Sequence, residues 1–131
     1  MDNNSDSLIP IESLHDGIYR LVVPLPWSSP GFVNVYLIED QDKYIMIDCG
    51  VAGDVEFDVL TNALKELGLA WSDIKLLIGT HLHTDHIGLS EMIRKEGVLL
   101  GLYENSVDYV EKYNDWKLRF QDLANYSKRE G

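Results

Sequence analysis

The order of apolar and polar positions predicts short strands with a few helices between them. Alternation of apolar with polar residues, or a short apolar run bounded by turn residues, is typical of a strand. Such patterns occupy residues 11–14, 18–23, 32–39, 43–48, 74–78 and 98–103. The joins His-Asp-Gly at 15–17 and Asp-Gln-Asp at 40–42 indicate antiparallel hairpins. Both alternating sets of residues 32–39 carry apolar side chains, so we expect packing on each face of the sheet.

Three segments predict helices. Residues 54–67 place apolar side chains three and four positions apart, which is a helical period; they are Phe57, Leu60, Ala63, Leu64 and Leu67. Gly68 follows at the position that favours a left-handed cap. Residues 89–95 predict a shorter helix. Residues 104–131 predict a long helix with an aromatic stripe, which forms either core, a lid over a cleft or a dimer surface.

Composition and charge narrow the class of protein. With 131 residues, 45% of them hydrophobic, the chain fits one globular domain over residues 1–131. Its net charge of −11 gives little attraction for nucleic acid or an anionic membrane. No apolar run approaches the ~20 residues of a membrane span, and the first residues lack the pattern of a secretory signal. Cys49 is the only cysteine, so we expect a cytoplasmic protein without an internal disulfide.

One short segment concentrates the metal-binding chemistry. Residues 80–88 read Thr-His-Leu-His-Thr-Asp-His-Ile-Gly and contain three of the four histidines. Imidazole and carboxylate are preferred ligands of zinc and similar divalent metals. His81 and His83 point to the same side of an extended segment, whereas Asp85 and His86 face apart unless the chain turns there. Two ligand pairs presented in two directions favour two neighbouring metals over one.

This segment directly follows an apolar strand, and in that context it resembles the metallo-β-lactamase superfamily of metal-dependent hydrolases, in particular the hydroxyacylglutathione-hydrolase type. The resemblance lies in the ligand types, their order and the glycine that follows them. Thr84 stands where many members carry proline, and Leu89 stands where many carry a second glycine. Neither departure replaces a ligand.

The resemblance implies the fold and the roles of the residues. The implied fold class is α/β (α+β): the N-terminal ββα half of the four-layer αββα fold, a mixed sheet with helices on one face. Two zinc ions are implied, with iron or manganese as alternatives; His81 and His83 hold the first metal, and Asp85 and His86 belong to the second. Asp85 is also the implied catalytic residue, which positions the attacking water or handles its proton. Asp48 is implied to orient the metal ligands, although a plain aspartate in a turn at the strand end is the alternative.

The implied reaction is hydrolysis of a small-molecule thioester, lactone or other small ester through a metal-bound hydroxide. Phosphodiesterases and iron-dependent persulfide dioxygenases of the same superfamily remain alternatives. The acidic charge disfavours a phosphodiester substrate without excluding one, because a metal can hold an anion. The sequence at this motif does not separate these chemistries.

The number of ligands limits what this chain does alone. A two-metal site needs more than four ligands, and in the family the remainder come from the second half of the fold. No histidine follows His86. We therefore expect a truncated fragment with weak or no activity; the alternative is a degenerate half-fold that has lost metal chemistry. Its uncovered sheet edge and apolar surface favour self-association. The alternative from another class is a non-catalytic module that forms a homo-oligomer through residues 104–131.

Overall fold

The computed structural model describes residues 9–29 and 31–104. The chain divides into two compact units, Met1–Gly101 and Leu102–Gly131, and the fold described here is that of the first unit. The predicted long helix falls in the second unit, where everything beyond Glu104 lies outside the described residues. Its role as a lid or a dimer surface stays a prediction.

The first unit contains one mixed six-stranded sheet in which sequential strands are neighbours, in the order β1-β2-β3-β4-β5-β6. Strands β1 to β4 are antiparallel, whereas β4, β5 and β6 run parallel. Each predicted strand is present, although β6 is shorter than the pattern indicated. Their bounds are Ile11–His15, Ile18–Pro24, Phe32–Asp40, Lys43–Ile47, Ile74–Ile78 and Leu99–Gly101.

Turn chemistry explains the two hairpins. Gly17, between β1 and β2, has a φ of +75°, a left-handed conformation that costs glycine little. Gln41 lies in the two-residue connection between β3 and β4 and has a φ of +62°. Positive φ values of this kind match the twist of two antiparallel strands joined by a tight turn.

The described residues contain two of the predicted helices and one further helix. Helix α1 spans Asp54–Glu66, and helix α3 spans Ser90–Arg94. Gly68 follows α1 with the expected left-handed φ of +74°. The further helix lies within the histidine segment, where Thr84–Ile87 forms a single turn, α2. The His83 carbonyl starts it by accepting hydrogen bonds from the backbone N–H groups of His86 and Ile87, at 2.9 and 3.1 Å.

The core lies on one face of the sheet, where α1 and α3 pack. In β3 the alternation is complete: Val33, Val35 and Leu37 are buried, whereas residues 34, 36 and 38 keep part of their surface. The buried cluster joins this strand face to both helices; it includes Leu21, Val23, Val33, Val35, Leu37, Met46, Leu77, Leu60, Ala63, Leu64 and Ile93. The predicted arrangement of helices on one face is therefore present.

The parallel pairing of β4 with β5 brings two distant segments together at one edge of the sheet. Ile47 pairs with Ile78 at the ends of these strands, and the Asp48 N–H then donates to the Ile78 carbonyl at 2.8 Å. Side chains at this edge come from the turn after β4 and from the segment after β5. None of the helices in the described ranges has the length and apolar character that crossing a membrane requires.

Truncation of the α1 face should show how much the fold depends on this core. Leu60 is 0% exposed and Val55, on the same helix, is 70% exposed. We expect Leu60→Ala to lower the free energy of unfolding by about 2–5 kcal/mol, because it leaves a cavity. The matched Val55→Ala change should stay within about 0.5 kcal/mol. Urea unfolding followed by circular dichroism measures both; equal losses would contradict the packing of α1 on the sheet.

Candidate metal centre

Asp48 occupies the turn directly after β4 and is tied to the start of the histidine segment. It is 5% exposed and has a φ of +61°, a left-handed conformation that aspartate tolerates better than most residues. Its Oδ1 accepts a hydrogen bond from the Thr80 N–H at 2.8 Å. The Thr80 hydroxyl lies 3.0 Å from Oδ1 and 2.8 Å from Oδ2. A buried carboxylate needs such donors, because its desolvation is costly.

The same turn also holds the far end of the histidine segment. Nδ1 of His86 lies 2.8 Å from Asp48 Oδ2. The Cys49 N–H donates to the His86 carbonyl at 2.8 Å, and the Cys49 thiol lies 3.3 Å from that oxygen. Both the backbone and the side chains of the dipeptide Asp48-Cys49 thus fix helix α2 against the edge of the sheet.

The three histidines of the segment converge. The His81 and His83 rings have centroids 4.5 Å apart in an edge-on arrangement, which agrees with the same-side direction expected from their spacing. The His81 and His86 centroids are 3.9 Å apart. His81 and His83 are exposed, while His86 is partly buried. The rings therefore meet at the surface of the sheet edge, where a small ion or molecule can reach them.

Asp85 joins this group because the chain turns at α2. Its Oδ2 lies 3.5 Å from Nε2 of His86, so the two adjacent residues do not face apart as they would in an extended segment. Of the four predicted ligands, only His81 and His86 belong to a group of described residues whose ligand atoms all lie within 4.8 Å of one another. Asp48 is its third member, and His83 and Asp85 lie outside it.

The donor set fits a divalent metal. One ligand atom each from Asp48, His81 and His86 lies within 4.8 Å of the others, and imidazole nitrogen with carboxylate oxygen suits zinc, iron or manganese. Both oxygens of Asp48, however, already accept hydrogen bonds from Thr80 and His86. A ligand role for Asp48 would disrupt those bonds, so the geometry favours Asp48 as a residue that holds the histidines.

Three residues at the site have contacts that the sequence did not indicate. Thr80 links Asp48 to Nδ1 of His81, at 2.9 Å from that nitrogen. The Cys49 N–H donates to the His86 carbonyl, and the Cys49 thiol lies 3.3 Å from the same oxygen. Gly88 lets helix α2 lie close to the turn after β4, since an added Cβ would be 2.4 Å from the Ala52 nitrogen. Some of these contacts join segments far apart in the chain, and the others depend on the direction of a side chain. The spacing of residues in the sequence predicts neither kind of contact.

Comparison with known proteins identifies the class. A family model described as the metallo-beta-lactamase superfamily matches residues 28–128. The chain therefore belongs to the metallo-beta-lactamase superfamily. The mixed sheet with few helices agrees with that fold, which confirms both the family resemblance and the fold class predicted from residues 80–88.

Individual relatives agree with this assignment. The "Probable metallo-hydrolase YqjP" of Bacillus subtilis (strain 168) is 29% identical over 107 residues, which are 80% of this chain and 33% of that protein. A metallo-beta-lactamase family protein of Thermus thermophilus is 33% identical, with a TM-score of 0.66 over 72% of this chain and 31% of its own. The metallo-beta-lactamase FIM-1 of Pseudomonas aeruginosa, solved in its mono-zinc form, shares the fold at 19% identity, with a TM-score of 0.60 over 75% of this chain and 43% of its own. The chain spans about a third of the length of the curated relatives it matches.

The backbone of Gly88 lies so close to that of Val51 and Ala52 that a larger residue at position 88 should destabilise the fold. An added Cβ would also lie 2.8 Å from the carbonyl carbon of Val51, so α2 or the turn must move. We expect Gly88→Ala to lower the free energy of unfolding by about 1–3 kcal/mol. Gly31→Ala is the matched control, because its nearest atom would be the Ser28 oxygen at 3.7 Å. If urea unfolding shows the same stability for both variants, the described contact between α2 and the turn is wrong.

Burial of Cys49 gives a prediction about reactivity. Cys49 is 0% exposed, and its removal from water raises the pKa of the thiol to about 12. Because the thiolate is the reactive form, we expect no reaction of the folded protein with a disulfide reagent such as DTNB at pH 8. One thiol per chain should react in denaturant. A fast reaction of the folded protein would contradict this placement of Cys49.

Proposed function

We propose that this site is the metal centre of a hydrolase, in which His81 and His83 hold one metal and Asp85 and His86 contribute to a second. The observation that carries this proposal is the convergence of three imidazole rings and a carboxylate at one edge of the sheet. Membership of the superfamily supports metal-dependent hydrolysis as the reaction class. Zinc is our preferred ion, because its ligands of choice are those present; iron and manganese accept the same donors.

The surroundings of the histidines support a metal better than a purely structural cluster. Exposed histidines gain little stability from lying against one another, and three protonated rings at this distance would repel. A divalent cation reverses that effect, since it binds the neutral rings through their lone pairs. Asp48 and Asp85 add negative charge beside the rings, which favours a cation further.

The protein residues have distinct proposed roles in hydrolysis. Metal ions held by His81, His83, Asp85 and His86 would supply a coordinated water of lowered pKa and a Lewis acid for the scissile carbonyl. Asp85, which lies beside His86 Nε2, positions the attacking water and accepts its proton on a carboxylate oxygen. Asp48 is buried below the histidines and does not reach the substrate; it keeps His86 in place. Asp85 is accordingly the catalytic residue of the proposal, and Asp48 is a positioning residue.

For the substrate we propose a thioester, lactone or other small ester. Attack of water on an acyl carbon needs the polarised carbonyl and the proton acceptor that this site offers. The net charge of −11 also disfavours highly anionic polymers such as nucleic acid. Phosphodiester and persulfide substrates use the same ligand types, and an assay panel separates them.

The ligand count sets an expectation for affinity. Two metals need more donors than these four residues supply. We therefore propose that the described residues bind metal weakly by themselves and hydrolyse little, and that further ligands complete the site in the active protein. A second copy of the chain that pairs through residues 104–131 would be one source of such ligands.

Metal binding provides the test. We expect isothermal titration with Zn²⁺ to show binding that His83→Ala weakens by roughly tenfold or more, because a direct ligand is lost. His15→Ala is the control, since His15 lies at the end of β1 and outside the cluster. Elemental mass spectrometry of protein purified without chelator measures occupancy and the identity of the metal.

Activity is then assayed with the metal added, on a panel of a thioester, a lactone and a phosphodiester. We expect acyl substrates to be preferred. Asp85→Asn should remove the activity and weaken binding of the second metal, while the first metal, held by His81 and His83, still binds. Equal zinc binding by His83→Ala and His15→Ala would contradict the proposal. A stable dimer that binds no metal and cleaves nothing on the panel would instead favour the non-catalytic module.

A further inference from the structure

The Thr80 hydroxyl connects the buried carboxylate to the first histidine of the segment. Its oxygen lies 2.8 and 3.0 Å from the two oxygens of Asp48 and 2.9 Å from Nδ1 of His81. A hydroxyl has one hydrogen to donate and lone pairs to accept with. Its position between these groups therefore constrains where each hydrogen lies.

The Asp48 carboxylate determines which group donates in each of the linked hydrogen bonds from Asp48 through Thr80 to His81. An ionised carboxylate only accepts, so the Thr80 hydroxyl must donate its single hydrogen to Asp48. It then has only lone pairs to offer His81, and Nδ1 of His81 must carry the hydrogen. The opposite direction would place oxygen lone pairs against the carboxylate at about 3 Å or less, where a charge-assisted bond is available instead.

The same reasoning applies to His86 without an intermediate. Its Nδ1 lies 2.8 Å from Asp48 Oδ2, and the acceptor-only carboxylate requires Nδ1 to carry a hydrogen. Asp85 Oδ2 lies 3.5 Å from the other nitrogen, Nε2, which is longer than the 2.8 Å contact at Nδ1 and beyond the usual length of a hydrogen bond. In a neutral ring Nε2 then keeps its lone pair. One buried carboxylate thus selects the same tautomer in two histidines, directly in His86 and through a hydroxyl in His81.

His83 differs from both. Within residues 9–29 and 31–104 no hydrogen bond reaches its ring; its described neighbour is the edge-on ring of His81. Nothing in the described structure therefore selects its tautomer. The three histidines provide an internal comparison: two have a fixed tautomer and one does not.

We infer that Thr80 is a positioning residue that, with Asp48, fixes His81 in the Nδ1–H tautomer and so presents its Nε2 lone pair for metal binding. The role towards the metal rests on the function proposed above, whereas the tautomer does not. Hydrogen bonds of this kind raise the basicity of a ligating imidazole and fix its orientation. Thr80 should therefore affect metal affinity without being a ligand.

The test is long-range ¹H–¹⁵N NMR of the metal-free protein at a pH where the rings are neutral, since the nitrogen shifts report the tautomer of each histidine. In the unmodified chain we expect Nδ1–H for His81 and His86 and a mixture for His83. Thr80→Val, which keeps the branched shape but removes the hydroxyl, should convert His81 to a mixture and leave His86 unchanged. Thr80→Ser should restore the original pattern.

A matched control lies in the same segment. Within the described ranges the Thr84 hydroxyl has no hydrogen-bond partner, so Thr84→Val should leave all three tautomers unchanged. Zinc titration of the same variants gives the second readout. Thr80→Val should bind roughly ten- to a hundredfold more weakly, with Thr80→Ser close to the unmodified protein.

The outcomes separate this inference from the proposed function. Finding His81 in the Nε2–H form, or unchanged in Thr80→Val, would overturn the inference even if zinc binds well. The expected tautomers with unchanged zinc affinity in Thr80→Val would overturn the positioning role. The expected tautomers with no zinc binding by any variant would overturn the proposed function, and with it the role of Thr80 towards the metal.

Discussion

The arrangement of this site depends on the hydrogen bonds that the buried carboxylate of Asp48 accepts. This carboxylate accepts hydrogen bonds from the Thr80 N–H and hydroxyl at one end of the histidine segment and from His86 at the other. A segment of small loops and one helical turn has little internal stability, because short helices barely form alone. Tying both of its ends to one group restricts the positions that its side chains can take.

That carboxylate is itself placed by the sheet. Strands β4 and β5 are parallel neighbours, so the turn after one and the segment after the other leave at the same edge. Parallel pairing is the reason why α/β and mixed folds so often carry their sites at the carboxyl ends of strands. The fully packed face under this edge, with α1 and α3, makes the support rigid.

The chain belongs to the metallo-beta-lactamase superfamily. The fold described here places three histidines and two carboxylates at one edge of its sheet. The chain spans about a third of the length of its curated relatives. Hydrogen bonds within residues 48–88 set the orientation of the His81 and His86 rings.

The sequence determined most of the secondary structure and which segment carries the candidate metal ligands. Strand alternation, the apolar face of α1 and Gly68 after it follow local rules, and His81 and His83 owe their common direction to the period of an extended chain. Helix α2 could not be predicted, because its four residues carry no period; the His83 carbonyl and the contact beneath Gly88 place it. The link from Asp48 through Thr80 to His81, and the bond from Asp48 to His86, belong to the tertiary structure alone. They join residues up to 38 positions apart, and a hydrogen bond depends on distances that only the pairing of β4 with β5 fixes.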